Sequence, residues 1–287
     1  MASLKEIKGR IDSVKSTLKI TSAMKMVASA KLHKAQNAIG NMVPYESRLR
    51  GILSSLLGTV SAAGEYTDAR KVEKVAIVCF SSNSSLCGAF NSNAIKETLR
   101  VIASYKEAGV EDITVFSVGR RIADAMRKAG YPSPADYSEL SAKPSYTAAA
   151  QLGEELLQGF LKRKFDKVEL VYNHFKSTAS QTMVRETYLP LSLEGGASAE
   201  NIDEDEYIVE PGKQELLDSL LPKVIRLKVY TVLLDTIAAE HAARTVAMQT
   251  ATDNGNDLLQ DLTLEYNKGR QQKITNEILD IVSGSAV

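Results

Sequence analysis

The segment SSNSSLCGAFNSN, which begins at Ser81, is the part of this 287-residue chain whose residue types come closest to a ligand-binding loop. It follows a predicted strand and precedes a predicted helix, where phosphate-binding loops occur in α/β proteins. Neither GxxxxGK[ST] nor GxGxxG is present, and Gly88 is the only glycine of the segment. One glycine does not let several backbone amides approach a pyrophosphate. We therefore interpret the segment as a structural loop and predict no nucleotide or other cofactor there.

The cysteines and histidines do not form a pattern typical of catalysis or of metal binding. A cysteine nucleophile needs a base beside it, and two of the three histidines, His33, His174 and His241, belong to predicted long helices. His241 lies in EHAAR, which is not the HExxH motif of zinc enzymes. Cys79 and Cys87 form no CxxC pair and are typical of reduced thiols in a cytosol. We predict no catalytic residue and no metal site.

Arg244 is the charged residue with the most unusual surroundings. Its neighbours are small, which favours a close approach of two helices: Ala238, Ala239, Ala242, Ala243, Val246 and Ala247. Two interpretations stay open. The stem of the side chain packs while its head reaches water, or the guanidinium binds a carboxylate of another protein.

The composition limits the class of partner. Lysine plus arginine and aspartate plus glutamate both number 35, so the net charge is zero, which argues against a nucleic-acid partner. No apolar run has the length of a membrane span, and the N-terminal MASLKEIKGR contains no hydrophobic signal region. We expect no direct membrane insertion: either a soluble protein or one that other proteins hold at a membrane.

Residues 211–287 predict one very long helix, which begins at Lys213. At 1.5 Å per residue it would reach roughly 110 Å, which exceeds the width of a globular core. Such a helix needs a partner along its length. Ile274, Ile278 and Ile281 form an apolar stripe near its end, and an apolar stripe needs burial. We predict that this end is inserted into another protein.

Residues 1–58 supply a partner helix within the chain. From Leu4 to Met42, apolar residues recur at steps of three and four, except at Thr21 and Lys25, and this spacing is typical of a coiled coil. Pro44 should kink or interrupt the helix.

The two terminal helices are predicted to run antiparallel, because the chain leaves along one and returns along the other. Since both rise equally per residue, paired residue numbers should add up to about 270. This register places Met24 near Val246 and Ser3 near Asn267. The stretch beyond Asn267 then has no partner helix within the chain.

Residues 72–210 alternate strand and helix patterns, which is typical of an α/β domain. The predicted strands are Val75–Phe80, Ile113–Val118, Lys167–Tyr172 and Met183–Leu189. Asn91 or Ser92 is predicted to cap the first helix of this domain, and the next two helices are predicted to begin at Arg120 and at Thr147. Arg185 and Glu186 alternate with apolar residues, which we interpret as a solvated face. Residues 194–205 predict an acidic loop, and residues 207–209 a short strand.

Three motifs are similar to those of one protein family. Residues 20–36, ITSAMKMVASAKLHKAQ, closely resemble the N-terminal helix of the gamma subunit of F-type ATP synthases. Residues 240–284 are similar to that family's C-terminal signature, and Leu86-Cys87-Gly88 with Asn91 to Asn93 resembles a motif of its central domain. Asn83-Ser84-Ser85 stands where the family usually has Asp-Arg-Gly, and Gly269 stands where it usually has Ala.

The resemblance implies a fold and a role. The fold is α/β, with a long antiparallel coiled coil of N- and C-terminal helices (1–58 and 211–287) and an inserted Rossmann-like α/β domain (72–210). The role is that of a central-stalk rotor subunit, itself without catalytic activity, whose rotation couples ion flow through a membrane ring to ATP synthesis or hydrolysis. The resemblance assigns contacts with the beta subunit to Met24, Arg244, Arg270, Gln271 and Thr275.

The resemblance also implies partners: a hexamer of alpha and beta subunits, the epsilon subunit and the subunits of the membrane ring. It implies a peripheral location on the cytoplasmic face of a bacterial plasma membrane. Two alternatives remain from the residues alone. One is a coiled-coil scaffold with an α/β head, and the other is an α/β nucleotide-binding enzyme with helical arms.

Overall fold

The computed structural model describes residues 3–59, 64–67, 70–191 and 212–284. Its elements, in chain order, are α1 (Leu4–Thr59), α2 (Gly64–Thr67), β1 (Lys74–Phe80), α3 (Phe90–Glu107), β2 (Asp112–Val118), α4 (Arg120–Lys128), α5 (Ser138–Ala142), α6 (Tyr146–Leu161), β3 (Lys167–Phe175), β4 (Gln181–Leu189) and α7 (Lys213–Gly284). The chain divides into two compact units. A smaller unit contains the described residues up to Ser29 and from Arg244 onward, and a larger unit contains those from Ala30 to Ala243.

The two predicted long helices are present. Helix α1 has 56 residues and α7 has 72, which correspond to roughly 80 and 110 Å of helix. Pro44 does not interrupt α1, because the helix continues through it, and the alternative expectation of a kink stays a prediction. A proline removes one helical hydrogen bond, but packing holds α1 on both sides of Pro44: Ile39 contacts one apolar cluster, and Leu49 and Leu53 contact another.

In the smaller unit, the first part of α1 pairs with the last part of α7 in a defined register. The hydroxyls of Thr21 and Thr252 are 2.9 Å apart. A Cβ added at Gly255 would lie 2.7 Å from the end of Leu18, and one added at Gly269 would lie 3.1 Å from the end of Leu4. In each of these pairs the two residue numbers add up to 273, so the predicted antiparallel register is confirmed to within about three residues.

A small apolar cluster closes the coil near the start of α1. Ile7 and Ile11 pack against Leu262, with Leu259 and Tyr266 beside them. These positions follow the predicted spacing of three and four residues. The apolar spacing of the sequence therefore identified the side of α1 that faces α7.

The larger unit contains a four-stranded sheet in the order β2-β1-β3-β4. Strand β1 is parallel to β2 and to β3, and β4 is antiparallel to β3. All four strands lie where the sequence predicts them, and α3, α4 and α6 follow the predicted helices. Helix α5 was not predicted. The predicted acidic loop at 194–205 and the short strand at 207–209 lie outside the described residues.

Each face of the sheet is covered by helices. On one face, Val75, Ile77 and Val171 pack with residues of α3 and α4. On the other face, a larger cluster joins the sheet to α6, α1 and α7. Between Val224 and Ala242, no residue of α7 is exposed. We call residues 224–242 the buried stretch of α7.

Candidate functional site

The last fifteen residues of α7 differ from the rest of the helix. Every residue from Arg270 to Gly284 is exposed, whereas Gly269 lies against Leu4 at the start of α1. We call residues 270–284 the tip. It carries five large apolar side chains that are 47–71% exposed: Ile274, Ile278, Leu279, Ile281 and Val282. The described residues of this chain therefore leave the tip uncovered.

Three of the predicted contact residues lie on the tip. Arg270, Gln271 and Thr275 are all exposed. The Thr275 hydroxyl donates a hydrogen bond to the Gln271 carbonyl at 3.0 Å, so these two residues share a face of the helix. The Thr275 oxygen keeps its lone pairs on the solvent side, while Gln271 and Arg270 present donors there. This face can hydrogen-bond both donors and acceptors of another protein.

The other two predicted contact residues, Met24 and Arg244, lie in the paired part of the smaller unit. Met24 is half-buried, and only 8% of Arg244 is exposed. This burial disfavours the interpretation in which the head of Arg244 extends freely into water. In the observed register Met24 lies opposite Gln249, about three residues from the predicted Val246. Contact with another protein stays a prediction for both residues.

The loop between β1 and α3 is built by its own side chains. Leu86 and Gly88 have φ of +65° and +58°, and this left-handed conformation favours glycine. The side-chain oxygen Oδ1 of Asn91 accepts hydrogen bonds from the amide and the hydroxyl of Ser82, both at 3.0 Å. The prediction that Asn91 or Ser92 caps α3 is wrong, because the N-cap is Ala89. Asn91 instead closes the loop.

The cysteine at the centre of this loop packs against α7. Cys87 is buried and packs with Phe90 and Ala239. The other cysteine, Cys79, is fully buried in β1, and burial raises its pKa to about 12. A thiol with that pKa is not a nucleophile at neutral pH. The loop therefore acts as a packing element that holds the sheet on the long helix.

The same loop also holds the start of α4. The amide of Arg120 donates to the side chain of Asn83 at 2.8 Å, the amide of Arg121 to the carbonyl of Ser82, and the amide of Ile122 to the hydroxyl of Ser81. The Asn83 side chain in turn donates to the carbonyl of Ser138. Asn83 therefore acts as both donor and acceptor at this position. The amides of Arg120, Arg121 and Ile122 bind the loop and not a phosphate.

A charged cluster on β3 was not predicted. Glu169, whose side chain is 3% exposed, accepts hydrogen bonds from Arg185 at 2.7 Å and from the Tyr105 hydroxyl at 2.6 Å, and pairs with Lys167 at 2.8 Å. Burial alone would raise the pKa of this carboxyl, but the three partners outweigh burial and lower it. The interpretation as a solvated face is wrong for Glu186, which pairs with Lys228 at 2.9 Å. Arg185 is exposed as predicted, although Glu169 holds its guanidinium.

The structure also bears on metals and membranes. Among the residues that it describes, histidine, cysteine, aspartate and glutamate side chains form no group of three or more that could hold a metal ion. None of the described helices is long and apolar enough to cross a bilayer.

The whole chain matches one protein family. The family model described as ATP synthase matches residues 3–287. The chain is 56% identical over 291 residues to the ATP synthase gamma chain of Phocaeicola vulgatus, and the alignment covers 99% of both chains. It is 51% identical to the ATP synthase gamma chain of Bacteroides fragilis, again over 99% of both chains.

Solved structures share the fold. A chain of the Euglena gracilis mitochondrial ATP synthase, solved as a complex of OSCP, F1 and the c-ring, aligns with a TM-score of 0.64 over 99% of this chain and 93% of that one, at 23% identity. A chain of the Tetrahymena thermophila mitochondrial ATP synthase, from its central stalk and c-ring, aligns with a TM-score of 0.60 over 81% of this chain and 99% of that one, at 23% identity.

Proposed function

Because the chain belongs to the gamma-chain family of ATP synthases, we propose that it acts as the central rotor shaft of such an enzyme. The observation that carries the proposal is α7, one helix of 72 residues. Most of its length is covered by the chain itself, whereas its tip presents exposed apolar and hydrogen-bonding side chains. A tip of this kind fits a socket that another protein supplies.

The proposed socket is the hexamer of alpha and beta subunits. In this arrangement the tip enters the hexamer, and the α/β domain contacts the epsilon subunit and the ring of membrane subunits. The complex is membrane-associated, and we place this subunit on the cytoplasmic face of a bacterial plasma membrane, without a membrane span of its own.

Rotation of the shaft links ion flow to nucleotide binding, because the shaft binds the conformations of a beta subunit with different free energies. The shaft presents different side chains at different angles, so each beta subunit meets a contact free energy that depends on the angle of the shaft. A ligand or partner shifts a conformational equilibrium only by the difference in its affinity for the two states. Ion flow through the ring turns the shaft, and the turning shaft changes the nucleotide affinity of each beta subunit in sequence.

The chain itself supplies no catalytic group in this account. The amides at the start of α4 bind the chain's own loop, and Cys79 and Cys87 are buried. We expect the purified chain alone neither to hydrolyse ATP nor to bind it. Isothermal titration calorimetry of the isolated chain checks this, and a micromolar dissociation constant for ATP would contradict it.

The function is tested by watching the shaft turn. Cys79 and Cys87 are buried, so a cysteine introduced at the exposed Glu107 of α3 gives a labelling site for a bead. With the alpha and beta subunits fixed to a surface, ATP should drive stepwise rotation of the bead in one direction. Hydrolysis of ATP by the intact complex without rotation of the bead would refute the proposed function.

A further inference from the structure

A partly buried lysine joins three elements of the larger unit. The ammonium of Lys228, on α7, lies 2.9 Å from the carboxylate of Glu186 on β4 and 3.8 Å from that of Glu46 on α1. The side chain of Lys228 is only 18% exposed. Because ion pairs with little solvent are less screened than surface pairs, this one contributes more to the packing of α7 than a surface pair would.

An aspartate two turns further along α7 holds the end of β3. Asp235 accepts a hydrogen bond from the backbone amide of Phe175 at 2.9 Å and pairs with His174 at 2.7 Å. Burial raises the pKa of Asp235, against the opposing effect of His174. A contact to a backbone amide fixes the position of the strand itself, not only that of a side chain.

The opposite side of α7 is held by α6. Arg226 donates to Glu154 at 2.9 Å. A Cβ added at Gly153 would lie 3.1 Å from the Cα of Arg226, so α6 approaches the backbone of α7 closely there. Between the two sides, the Tyr188 hydroxyl donates to the carbonyl of Ile225 at 2.8 Å.

These polar contacts flank the apolar side of α7. At about 100° of turn per residue, the core residues Ile225, Val229, Val232 and Leu233 face one direction. Lys228 and Asp235, seven residues apart, lie together on one flank of that stripe, and Arg226 lies on the other. Apolar contacts have no preferred direction, whereas hydrogen bonds weaken as they bend. The hydrogen bonds of Asp235 and Arg226 therefore oppose a roll of α7 about its own axis more than the apolar contacts do. The ion pair of Lys228 with Glu186 adds an attraction that weakens with distance, on the same flank as Asp235.

We propose that Lys228 and Asp235 are positioning residues that fix the angle of the α/β domain on α7, so that torque passes between the domain and the helix with little twist. The proposal rests on the proposed function, since only a rotating shaft carries torque. Arg226 completes the hold from the side of α6. Neither Lys228 nor Asp235 touches a nucleotide in this account, and their effect is on the stiffness of the rotor.

The test measures stiffness in the assembled complex. A bead is attached at Glu107→Cys, and its angle is recorded while the immobilised hexamer pauses. The variance of that angle is inversely related to the torsional stiffness of the rotor. The main variant combines Lys228→Met, Glu186→Gln and Glu46→Gln, which removes the paired charges together and leaves none of these three charges buried alone. The triple variant removes the ion pairs of Lys228 from one flank and leaves the contacts of Asp235 in place, so we expect the variance to rise by up to about twofold. Lys228→Arg alone keeps the positive charge, so its variance should stay close to that of the wild type.

Matched variants separate this role from simple stability. Asp124 and Arg127 form a pair of 2.7 Å within α4, so Asp124→Asn with Arg127→Met removes an ion pair that does not reach α7. This control should leave the variance unchanged. If the triple variant does not assemble, Asp235→Asn decides by the same measurement, since it removes only the charge that faces His174.

Three outcomes are distinct. A variance equal to that of the wild type in the triple variant, or in Asp235→Asn where the triple variant does not assemble, overturns the positioning role while the wild-type bead still rotates. A wild-type bead that does not rotate at all contradicts the proposed function instead. A rise in the control variant equal to that in the test variants also overturns the positioning role, because any lost ion pair would then have the same effect.

Discussion

The buried stretch and the tip belong to one continuous helix but lie in opposite environments. From residue 224 to 242, no side chain is exposed, and from 270 to 284 all are. Most residues of the buried stretch are apolar, so the stretch needs cover, and the sheet, α6 and α1 provide it. The tip alternates isoleucines with Arg270, Lys273, Glu277 and Asp280. The exposed apolar residues of the tip form a surface that another protein can bury.

Helix formation and burial are separate properties of α7. The sequence forms helix along the whole length, but the chain covers only part of it. Another protein must complete the burial of the uncovered part.

The largest expected effect lies on the tip. Changing Arg270, Gln271 and Thr275 together to Ala should reduce recovery of the assembled hexamer and its ATPase rate, since each contact with a charged group contributes about 1.5–3 kcal/mol. The isolated variant should unfold at the temperature of the wild type, because these side chains are exposed. Wild-type recovery and ATPase rate would remove all three residues from the contact surface and leave the apolar side chains as the only contacts.

A matched pair of leucines tests the comparison in the isolated chain. Leu233, in the buried stretch, is 1% exposed, and Leu279, on the tip, is 60% exposed. Leu233→Ala should lower the free energy of unfolding by about 2–5 kcal/mol, and Leu279→Ala should leave it nearly unchanged. Chemical denaturation of both variants checks this. Equal losses would mean that the free chain buries its own tip.

Ion pairs offer a second contrast. Glu169→Gln should cost about 1.5–3 kcal/mol of unfolding free energy, because a buried carboxylate loses charged hydrogen bonds. The partners of Glu169 lower its pKa in the folded state. Its contribution is therefore complete above the unfolded pKa of about 4.3 and is lost as the pH falls through the lower folded value.

The control for Glu169 is a pair on the tip. Lys273 and Glu277 are 3.6 Å apart and 66% and 61% exposed, so Glu277→Gln should change stability by less than about 0.5 kcal/mol. Denaturation between about pH 3 and 7 distinguishes the two, because a group whose pKa differs between the folded and unfolded states makes stability depend on pH. A pH dependence that stays the same in Glu169→Gln would show that the cluster does not stabilise the fold.

The smallest effect is expected where the paired part of α7 ends. Gly269→Ala should stabilise the chain by up to about 1 kcal/mol, since alanine favours helix. The new methyl group meets only the end of Leu4, at 3.1 Å. Gly284→Ala, with nothing within 4 Å, is the control at the far end of α7. A loss of stability in Gly269→Ala would show that Leu4 is not able to move aside.

The sequence predicted most of the scaffold because its signals are periodic. Steps of three and four residues identified the side of α1 that faces α7, and the continuous apolar run Val75–Phe80 identified β1. The antiparallel register followed from equal rise per residue, and it differs from the observed one by about three residues. That difference arose because the boundary between the linker and the helices carries no sharp signal.

The sequence did not predict the polar contacts that join distant elements. Glu169 and Arg185 are sixteen residues apart, and Lys228 contacts partners on two other elements. Alternation on a strand shows that Arg185 faces the side opposite to its neighbours, but it does not show what covers that side. Asn91 resembled a helix cap for the same reason: its residue type fits both roles, and only the loop geometry decides.

Hydrogen exchange of residues 270–284, measured in the free chain and in the chain assembled with alpha and beta subunits, tests the central claim most directly. The free tip lacks tertiary cover, so its amides should exchange at the rate of a fraying helix end. In the complex they should be protected at least about tenfold more, while residues 224–242 should be protected in both states. Equal, fast exchange of the tip in the free chain and in an intact complex would contradict the account.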